Sequence, residues 1–486
     1  MTGSPYSRRL AGWSDPADVF NRLYRHDRYA FWLDAGPGAD RGVSYLGAAS
    51  STSRFVTASV VDGTVTSIHT TDAAAPAVTH ETIFEFLRRD RAGEPWRGDE
   101  PATSHRGEPD GFDLGWIGWF GYELGAHTVG TPVHASRYPD AALLEVDRVI
   151  RFDHGARTVT LLARTSALES PAAVTAWLDE MAAALGAIRQ PAGPTGAAQA
   201  GASAARTRPN VPRWRHNPDE YAALIGRCLA AIGDGDAYQL CLTNEIRVAG
   251  SWHPVDTYLD LRAGSPSHHG GLLRFGDLAL LSASPEQFLH VTPAGSVTTK
   301  PIKGTRPRSH DPAEDDRLRR ELQGSAKERA ENLMIVDLMR NDLGRIAELG
   351  SVVVSELLAV ESYPHVHQLV STIEAQLAPG VSTVDAIESC FPAGSMTGAP
   401  KRSAMTILHG LEQGPRGIYS GAFGYLGRGG AADLAIVIRS IVLDSAGASI
   451  GTGGGITALS DAAEEIEETR IKAAALLAGL GVAPAE

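Results

Sequence analysis

Apolar and polar positions along the chain fall into two kinds of run. The first is short, rich in β-branched residues and bounded by turn residues: RTVTLLAR at 157–164, LALLSAS at 278–284, SVTTKPI at 296–302 and SVVVSELLAV at 351–360. Such runs suit strands packed on a pleated surface. LAIVIRSIVL at 434–443 is the most apolar stretch. Arg439 interrupts it, and it reads as one buried strand, far short of the ~20 apolar residues that cross a bilayer. The second kind is longer and built of helix formers. Residues 171–188 carry an Ala- and Leu-rich face, and AKERAENLMIVDLMRNDL at 326–343 reads as a helix. SDAAEEIEETRIKAAALLAGL at 460–480 opens with Ser460 and Asp461 as N-cap candidates and acids in its first turns. Together the runs predict an α+β fold with extensive antiparallel sheet. GWIGWFGYELG at 115–125, dense in Gly and Trp, reads as a tightly packed core turn.

One stretch lacks either pattern. Residues 187–213, AIRQPAGPTGAAQAGASAARTRPNVPR, are rich in Ala, Gly and Pro and read as a flexible linker. It separates an N-terminal region, 1–186, from a C-terminal region, 214–486. Hydrophobic residues make up 43% and charged residues 21% of the 486, which is enough apolar matter for a large core. The net charge of −13 works against a nucleic-acid partner. Cys228, Cys241 and Cys390 are odd in number, far apart and in no metal-like spacing, as expected of reduced thiols. The N-terminal residues MTGSPYSRRLAGWSDP lack the apolar core of a signal peptide. The expected location is cytoplasmic.

Candidate chemistry begins with two E-x-x-E steps, Glu328/Glu331 and Glu465/Glu468. Residues three apart share a helical face, so each helix presents two carboxylates side by side. Either these are solvated faces, or a hard cation such as magnesium joins them. Glu331 runs straight into the apolar LMIV, and Lys472 stands four residues after Glu468. FPAGSMTGAPKRSA at 391–404 offers loop amides, Lys401 and a helix start as an anion cradle, although it lacks the P-loop spacing. GTGGGI at 451–456 reads as a Gly-dense turn where backbone approaches a ligand. Arg439 is either one half of a structural ion pair or a clamp on a substrate carboxylate. KPIKGTRPRSH at 300–310 is either a basic surface loop or the seat of a nucleophile, Lys303. Bringing a lysine from its usual pKa of about 10.4 to near 7 needs roughly 4 kcal/mol, which neighbouring cations and burial can supply.

SASPEQF (282–288), PIKGTRPR (301–308), ENLMIVDLMRND (331–342), FPAGSMTGAPK (391–401), IYSGAFGYLG (418–427), IVIRS (436–440) and GTGGGI through EEIEETRIK follow one another in order. On these motifs the chain resembles the chorismate-utilising enzymes over essentially all of 214–486. YLGAAS and WIGWFGYELG extend the likeness, more weakly, into the N-terminal region. The resemblance implies a two-layer α/β sandwich, in which two large antiparallel sheets pack together with helices outside and chorismate lies in the cleft between the sheets. It implies Mg2+ as cofactor, held by Glu331 and Glu468 with Glu328 and Glu465 in support, and in turn holding the ring carboxylate of chorismate. Arg439 and Tyr419 match the residues that hold the enolpyruvyl carboxylate. Thr305, Gly398, Gly453 and Gly455 match loop contacts to substrate, Lys472 lies beside the metal, and Glu286 matches the general acid for the departing 4-hydroxyl.

Two positions choose among members of the family. PIAGT is usual in the members that form anthranilate, isochorismate or salicylate, whereas PIKGT, with Lys303, is typical of those that aminate C4 and form 4-amino-4-deoxychorismate. There the lysine adds at C2 and ammonia then enters at C4. Gln239, in YQLCLTNE, stands where water-using members have a lysine base, which points to ammonia as nucleophile. HVHQLVS departs from the family pattern at Gln368, and His367 is given no role. No cysteine sits in a glutaminase-like elbow, so the resemblance implies a heterodimer with a glutamine amidotransferase that delivers ammonia, on the way to p-aminobenzoate and folate. The alternatives are amination at C2 with loss of pyruvate, a non-catalytic chorismate- or tryptophan-binding protein and, more remotely, a nucleotide-binding enzyme.

Overall fold

Central strands such as Gly115–Phe120 and Ala422–Gly427 are buried along their whole length, and several helices open on a side-chain cap. Asn217 with Glu220 and Ser382 with Asp385 form reciprocal capping boxes, and Asp461 accepts from the amides of Ala463 and Glu464. The computed structural model describes residues 6–71, 75–91, 111–165, 170–189, 211–363 and 365–483. Residues 190–210, the greater part of the expected linker, lie outside the described residues.

Among the described residues the strands join into two twelve-stranded sheets. The middle of the first runs Tyr29–Asp34, His269–Phe275, Leu278–Ser284, Ser440–Asp444, Gly447–Ile456, Gln239–Ala249, paired antiparallel. The second runs from Ile302–Pro307 through Val366–Gln376, Ser296–Thr299, Gln287–Val291, Ala432–Ile436 and Ala422–Gly427 to Gly115–Phe120 and beyond. Both sheets take strands from either side of 187–213: Tyr29–Asp34 pairs with His269–Phe275 in one, and Gly115–Phe120 with Ala422–Gly427 in the other. The two regions read from the sequence are interleaved in space.

The facing sides of the sheets bury Phe31, Leu273 and Leu280 of the first against Ile117, Trp119 and Phe423 of the second. The outer face of the first sheet is covered by helices carrying Phe20, Tyr258 and Leu476, and that of the second by helices carrying Phe84, Ile335 and Ile387. This is the expected sandwich of two antiparallel sheets with helices outside.

Four local readings need correction. LAIVIRSIVL is two strands: Ala432–Ile436 belongs to the second sheet and Ser440–Asp444 to the first. The chain crosses between sheets at Val437–Arg439, and Arg439 takes a left-handed φ of +51°, which breaks the extended run. SVTTKPI divides at Lys300–Pro301 into Ser296–Thr299 and Ile302–Pro307, because proline cannot donate to a ladder. GTGGGI is no turn; it lies within the ten-residue strand Gly447–Ile456. GWIGWFGYELG begins as a wholly buried strand, Gly115–Phe120, and turns only at Gly121.

Gly118 sits in the middle of that strand, where a Cβ would lie 1.9 Å from the Ala142 carbonyl oxygen. Backbone cannot give way as a flexible side chain does. Gly118→Ala is therefore expected to cost about 1–3 kcal/mol of stability, read from urea unfolding; an unchanged midpoint would contradict this packing.

Candidate active site

Lys303, Glu286, Gln239, Glu331, Glu465 and Glu468 lie where the two sheets and two helices meet. Lys303 lies on Ile302–Pro307, whose pairing with Val366–Gln376 slips: Ile302 faces Val370 but Thr305 faces Gln368. The extra residue is a bulge, a device that re-aims a side chain. Gly304 makes it possible, with φ +83° and with Glu328 and Leu322 against the place a Cβ would fill. Asn332, fully buried beside Glu331, donates to the Pro301 carbonyl at 3.4 Å and accepts from Ser371 Oγ at 2.5 Å. It thereby ties the helix Ala326–Gly344 to the strand that carries Lys303.

Lys303 Nζ stands 3.7 Å from Glu331 Oε2, with both side chains little exposed. Burial by itself would depress the lysine, but the carboxylates of Glu331, Glu286 and Glu468, with Cys241 also near, hold its ammonium above the ordinary value. This corrects the expectation of an amine depressed by neighbouring cations. The cations of that loop are spoken for: Lys300 pairs with Glu361, Arg306 with Glu321 and Glu328, and Arg308 with Asp315.

Three of the four expected carboxylates gather at the facing helices. Glu465 is buried and takes hydrogen bonds from Lys327 Nζ at 3.0 Å and Ser460 Oγ at 2.7 Å. Glu468 pairs with Lys472 at 2.7 Å, and Lys472 also donates to the Gly453 carbonyl at 2.8 Å. Burial pushes the Glu331 carboxyl up; Lys303 and Lys327 oppose that, while Glu468 and Glu465 add to it. Burial also works against the Glu468 carboxylate, but Lys472 beside it wins and holds it below the usual range. Glu328 is engaged by Arg306 at 3.1 Å instead. Among the described residues no three metal-ligating side chains already close on one point. The donor set still fits a hard divalent cation, because it is all carboxylate and drawn from two facing helices. Lys303, Lys327 and Lys472 supply the positive charge in the arrangement seen here. Lys327 is not singled out by the sequence reading; its place one residue before Glu328 in KERAE is the only signal.

Glu286, 5% exposed, follows the strand Leu278–Ser284. Burial pushes its carboxyl up to about 7, with Lys303 among the groups that oppose the rise. Gln239 is 1% exposed, and both polar atoms of its amide lack a protein partner, a costly state for a buried group. A Cβ at Gly455 would lie 2.6 Å from that amide nitrogen and 3.4 Å from Lys303 Nζ. The glycines of Gly447–Ile456 therefore make room for side chains: Tyr419's ring occupies the space at Gly451, and Glu465 approaches Gly454. Gly453 faces the Leu242 carbonyl oxygen, 2.4 Å from where its Cβ would be.

Arg439 makes one long hydrogen bond, 3.5 Å to the Lys472 carbonyl, and among the described residues no carboxylate lies within ion-pair reach of it. Burial pulls it below the ordinary guanidinium value. A structural ion pair is thus not its role. Three expectations fare differently. Thr305 is exposed on its strand. Gly398, at φ +152°, brings the backbone against the Gln239 carbonyl, 2.2 Å from where its Cβ would lie. Lys401 is not free to cradle an anion: its ammonium is spent on Asp342 at 2.5 Å and on the carbonyls of Pro392 and Cys390 at 2.9 and 3.1 Å. His367 lies outside the cluster, between Ser362 Oγ and Asp315. A separate cleft of about 460 Å³, lined by Phe55, Tyr138 and Asp444 among others, opens at the far ends of the strands Leu278–Ser284 and Ser440–Asp444.

Buried carboxylates, an inward lysine and a guanidinium without a carboxylate partner among the described residues thus meet where the two sheets join. The family model described as chorismate binding enzyme matches residues 9–478, and the chain belongs to that family. It is 44% identical to the aminodeoxychorismate synthase of Streptomyces griseus over 98% of its own length and 65% of that relative's. It is 39% identical to the anthranilate synthase component 1 of Streptomyces coelicolor over 75% of its length and 72% of that chain's. Among solved structures, anthranilate synthase component I from Streptococcus pneumoniae is 28% identical, with a TM-score of 0.73 over 96% of this chain and 98% of that one. The chain thus spans just under two-thirds of its Streptomyces griseus relative. No helix among the described residues is long and apolar enough to cross a membrane.

Gly455→Ala is expected to alter stability by less than about 1 kcal/mol, because only a flexible glutamine end must give way. It is also expected to lower kcat/KM about tenfold or more by displacing Gln239 and Lys303. A melting curve and steady-state kinetics check both; full activity would show that the strand's glycine is not needed for the site.

Proposed function

We propose that the chain catalyses the magnesium-dependent amination of chorismate at C4, forming 4-amino-4-deoxychorismate for p-aminobenzoate and folate synthesis. The ammonia comes from a partner glutamine amidotransferase. The observation that carries this reading is the amine of Lys303, turned inward beside Glu331 and the unpartnered amide of Gln239. The likeness over 98% of the chain to a relative named aminodeoxychorismate synthase supports it. The likeness to anthranilate synthases keeps amination at C2 as the rival outcome of the test below.

Glu331 and Glu468, with Glu465 behind them, would hold the magnesium ion, which when bound supplies a positive anchor for the ring carboxylate. Arg439, short of partners, and Tyr419 hold the enolpyruvyl carboxylate. The fork of Arg439 suits a carboxylate, and its burial makes an incoming anion more favourable there. Gln239 gives its amide to the substrate or to ammonia and cannot act as a base toward water. Gly398, Gly453, Gly455 and Lys472 line or brace the same pocket.

Lys303 must first give up its proton, and the carboxylates round it are the nearest acceptors. Its Nζ then adds at C2 while the C4–O bond breaks, and Glu286 gives its proton to the departing hydroxyl, which leaves as water. The adduct nitrogen keeps both of its protons. Ammonia adds at C4, the Nζ–C2 bond breaks, and Lys303 returns as the neutral amine. The surplus proton on the new ammonium goes back to Glu286. A carboxyl pushed up to about 7 is suited to both transfers near neutral pH. The source of ammonia lies elsewhere, since Cys228, Cys241 and Cys390 are all buried. Burial pushes the Cys228 thiol up to about 12 and raises the other two, so none is a ready thiolate nucleophile.

With chorismate, magnesium and an ammonium salt, Lys303→Ala is expected to lose the C4-aminated product by about 10²-fold or more, read by mass spectrometry. Undiminished formation of the same product would refute the assignment. Because Glu286 must start protonated and burial pushes its carboxyl up to about 7, kcat/KM for chorismate at a fixed concentration of free ammonia should fall as pH rises through that value. Glu286→Gln should abolish this limb and slow turnover by about 10²–10⁴-fold. A wild-type profile flat from pH 6 to about pH 8 would count against the acid.

A further inference from the structure

A buried ion pair lies next to the site without touching it. Glu412 ends the helix Lys401–Glu412, and Arg416 follows four residues later across the turn. Their side chains are 4% and 1% exposed. Arg416 Nε donates to Glu412 Oε2 at 2.9 Å and Nη2 to Oε1 at 2.7 Å. The remaining donors reach the Met396 carbonyl at 2.6 Å, the Cys241 carbonyl at 2.8 Å and Ser420 Oγ at 3.4 Å. Glu412 Oε1 also accepts from the amide and hydroxyl of Thr243 at 2.9 and 3.0 Å. Tyr122's ring lies 4.1 Å beneath the guanidinium, and the Glu123 carboxylate accepts the amides of Arg416 and Gly417.

Each arm ends on a segment that supplies one candidate site residue. Cys241 is two residues from Gln239, Met396 two from Gly398, and Ser420 adjoins Tyr419. A buried pair of this kind adds little to stability, since its desolvation cost rivals its attraction, whereas five directed donors fix geometry. We infer that Glu412–Arg416 is a positioning pair that sets Gln239, Gly398 and Tyr419 relative to one another and so shapes the substrate side of the cleft. The inference rests on the reading that those three residues face chorismate.

The test uses Arg416→Lys, which keeps the charge but loses the fork, and the double variant Glu412→Gln/Arg416→Gln, which removes both charges. Melting curves establish folding. Calorimetric titration with chorismate in the presence of magnesium gives Kd, and steady-state kinetics give KM and kcat. The expected result for a folded variant is a rise of about tenfold or more in Kd and KM with kcat changed less than about threefold. If the double variant does not fold, Arg416→Lys decides. Folded variants with wild-type Kd and KM, or a loss confined to kcat, would overturn the positioning role. Wild-type protein that fails to bind chorismate would instead overturn the substrate reading, which keeps the two failures apart.

Discussion

The site depends on a balance struck at Lys303. Taking an ammonium out of water is expensive, and burial on its own would lower the pKa of this one. The carboxylates of Glu331, Glu286 and Glu468 reverse that outcome and keep it charged. The same balance runs the other way at Glu286, where burial prevails and the carboxyl titrates at about 7. One cleft thus holds a lysine pushed up and a carboxyl pushed up, and each tempers the other. On the proposed mechanism that charge must first pass to the carboxylates beside it before the amine can add to a ring.

The fold brings these groups together because strand ends from both sheets meet there. The chain leaves the second sheet after Ile436, turns at Arg439 and enters the first at Ser440. Arg439 is therefore delivered to the cleft by the crossing itself, without a carboxylate partner. Opposite it, the bulge at Lys303–Gly304 turns the lysine toward the helix of Glu331, and Asn332 keeps helix and strand in register. Gly447–Ile456 contributes absence of bulk: without side chains at 451 and 455, Tyr419 and Gln239 have room to stand where they do.

Much of this was legible in the sequence. The strand Leu278–Ser284 falls on the bounds its composition marks, the helix from Ala326 ends within a residue of expectation, and the E-x-x-E steps do place Glu331, Glu465 and Glu468 together. What was not legible has physical reasons. Hydrophobicity in LAIVIRSIVL reports burial, and both sheets bury it equally, so the change of sheet left no mark except Arg439. Glycines in GTGGGI signalled a turn because glycine's freedom is its commonest use; here its lack of Cβ matters instead. Lys401 read as an anion donor because a sequence shows a charge and not the Asp342 that neutralises it. The pair Glu412–Arg416 is spaced as an ordinary surface i, i+4 pair, and only its burial reveals that it links four segments.

The most direct measurement is intact-protein and peptide mass spectrometry of the magnesium-loaded enzyme mixed with chorismate in the absence of any ammonia source. The account predicts a mass gain of one chorismate less one water, mapped to the peptide holding Lys303 and discharged when ammonium is added. An enzyme that aminates chorismate when ammonium is present yet never carries that adduct, or carries it on another residue, would contradict it.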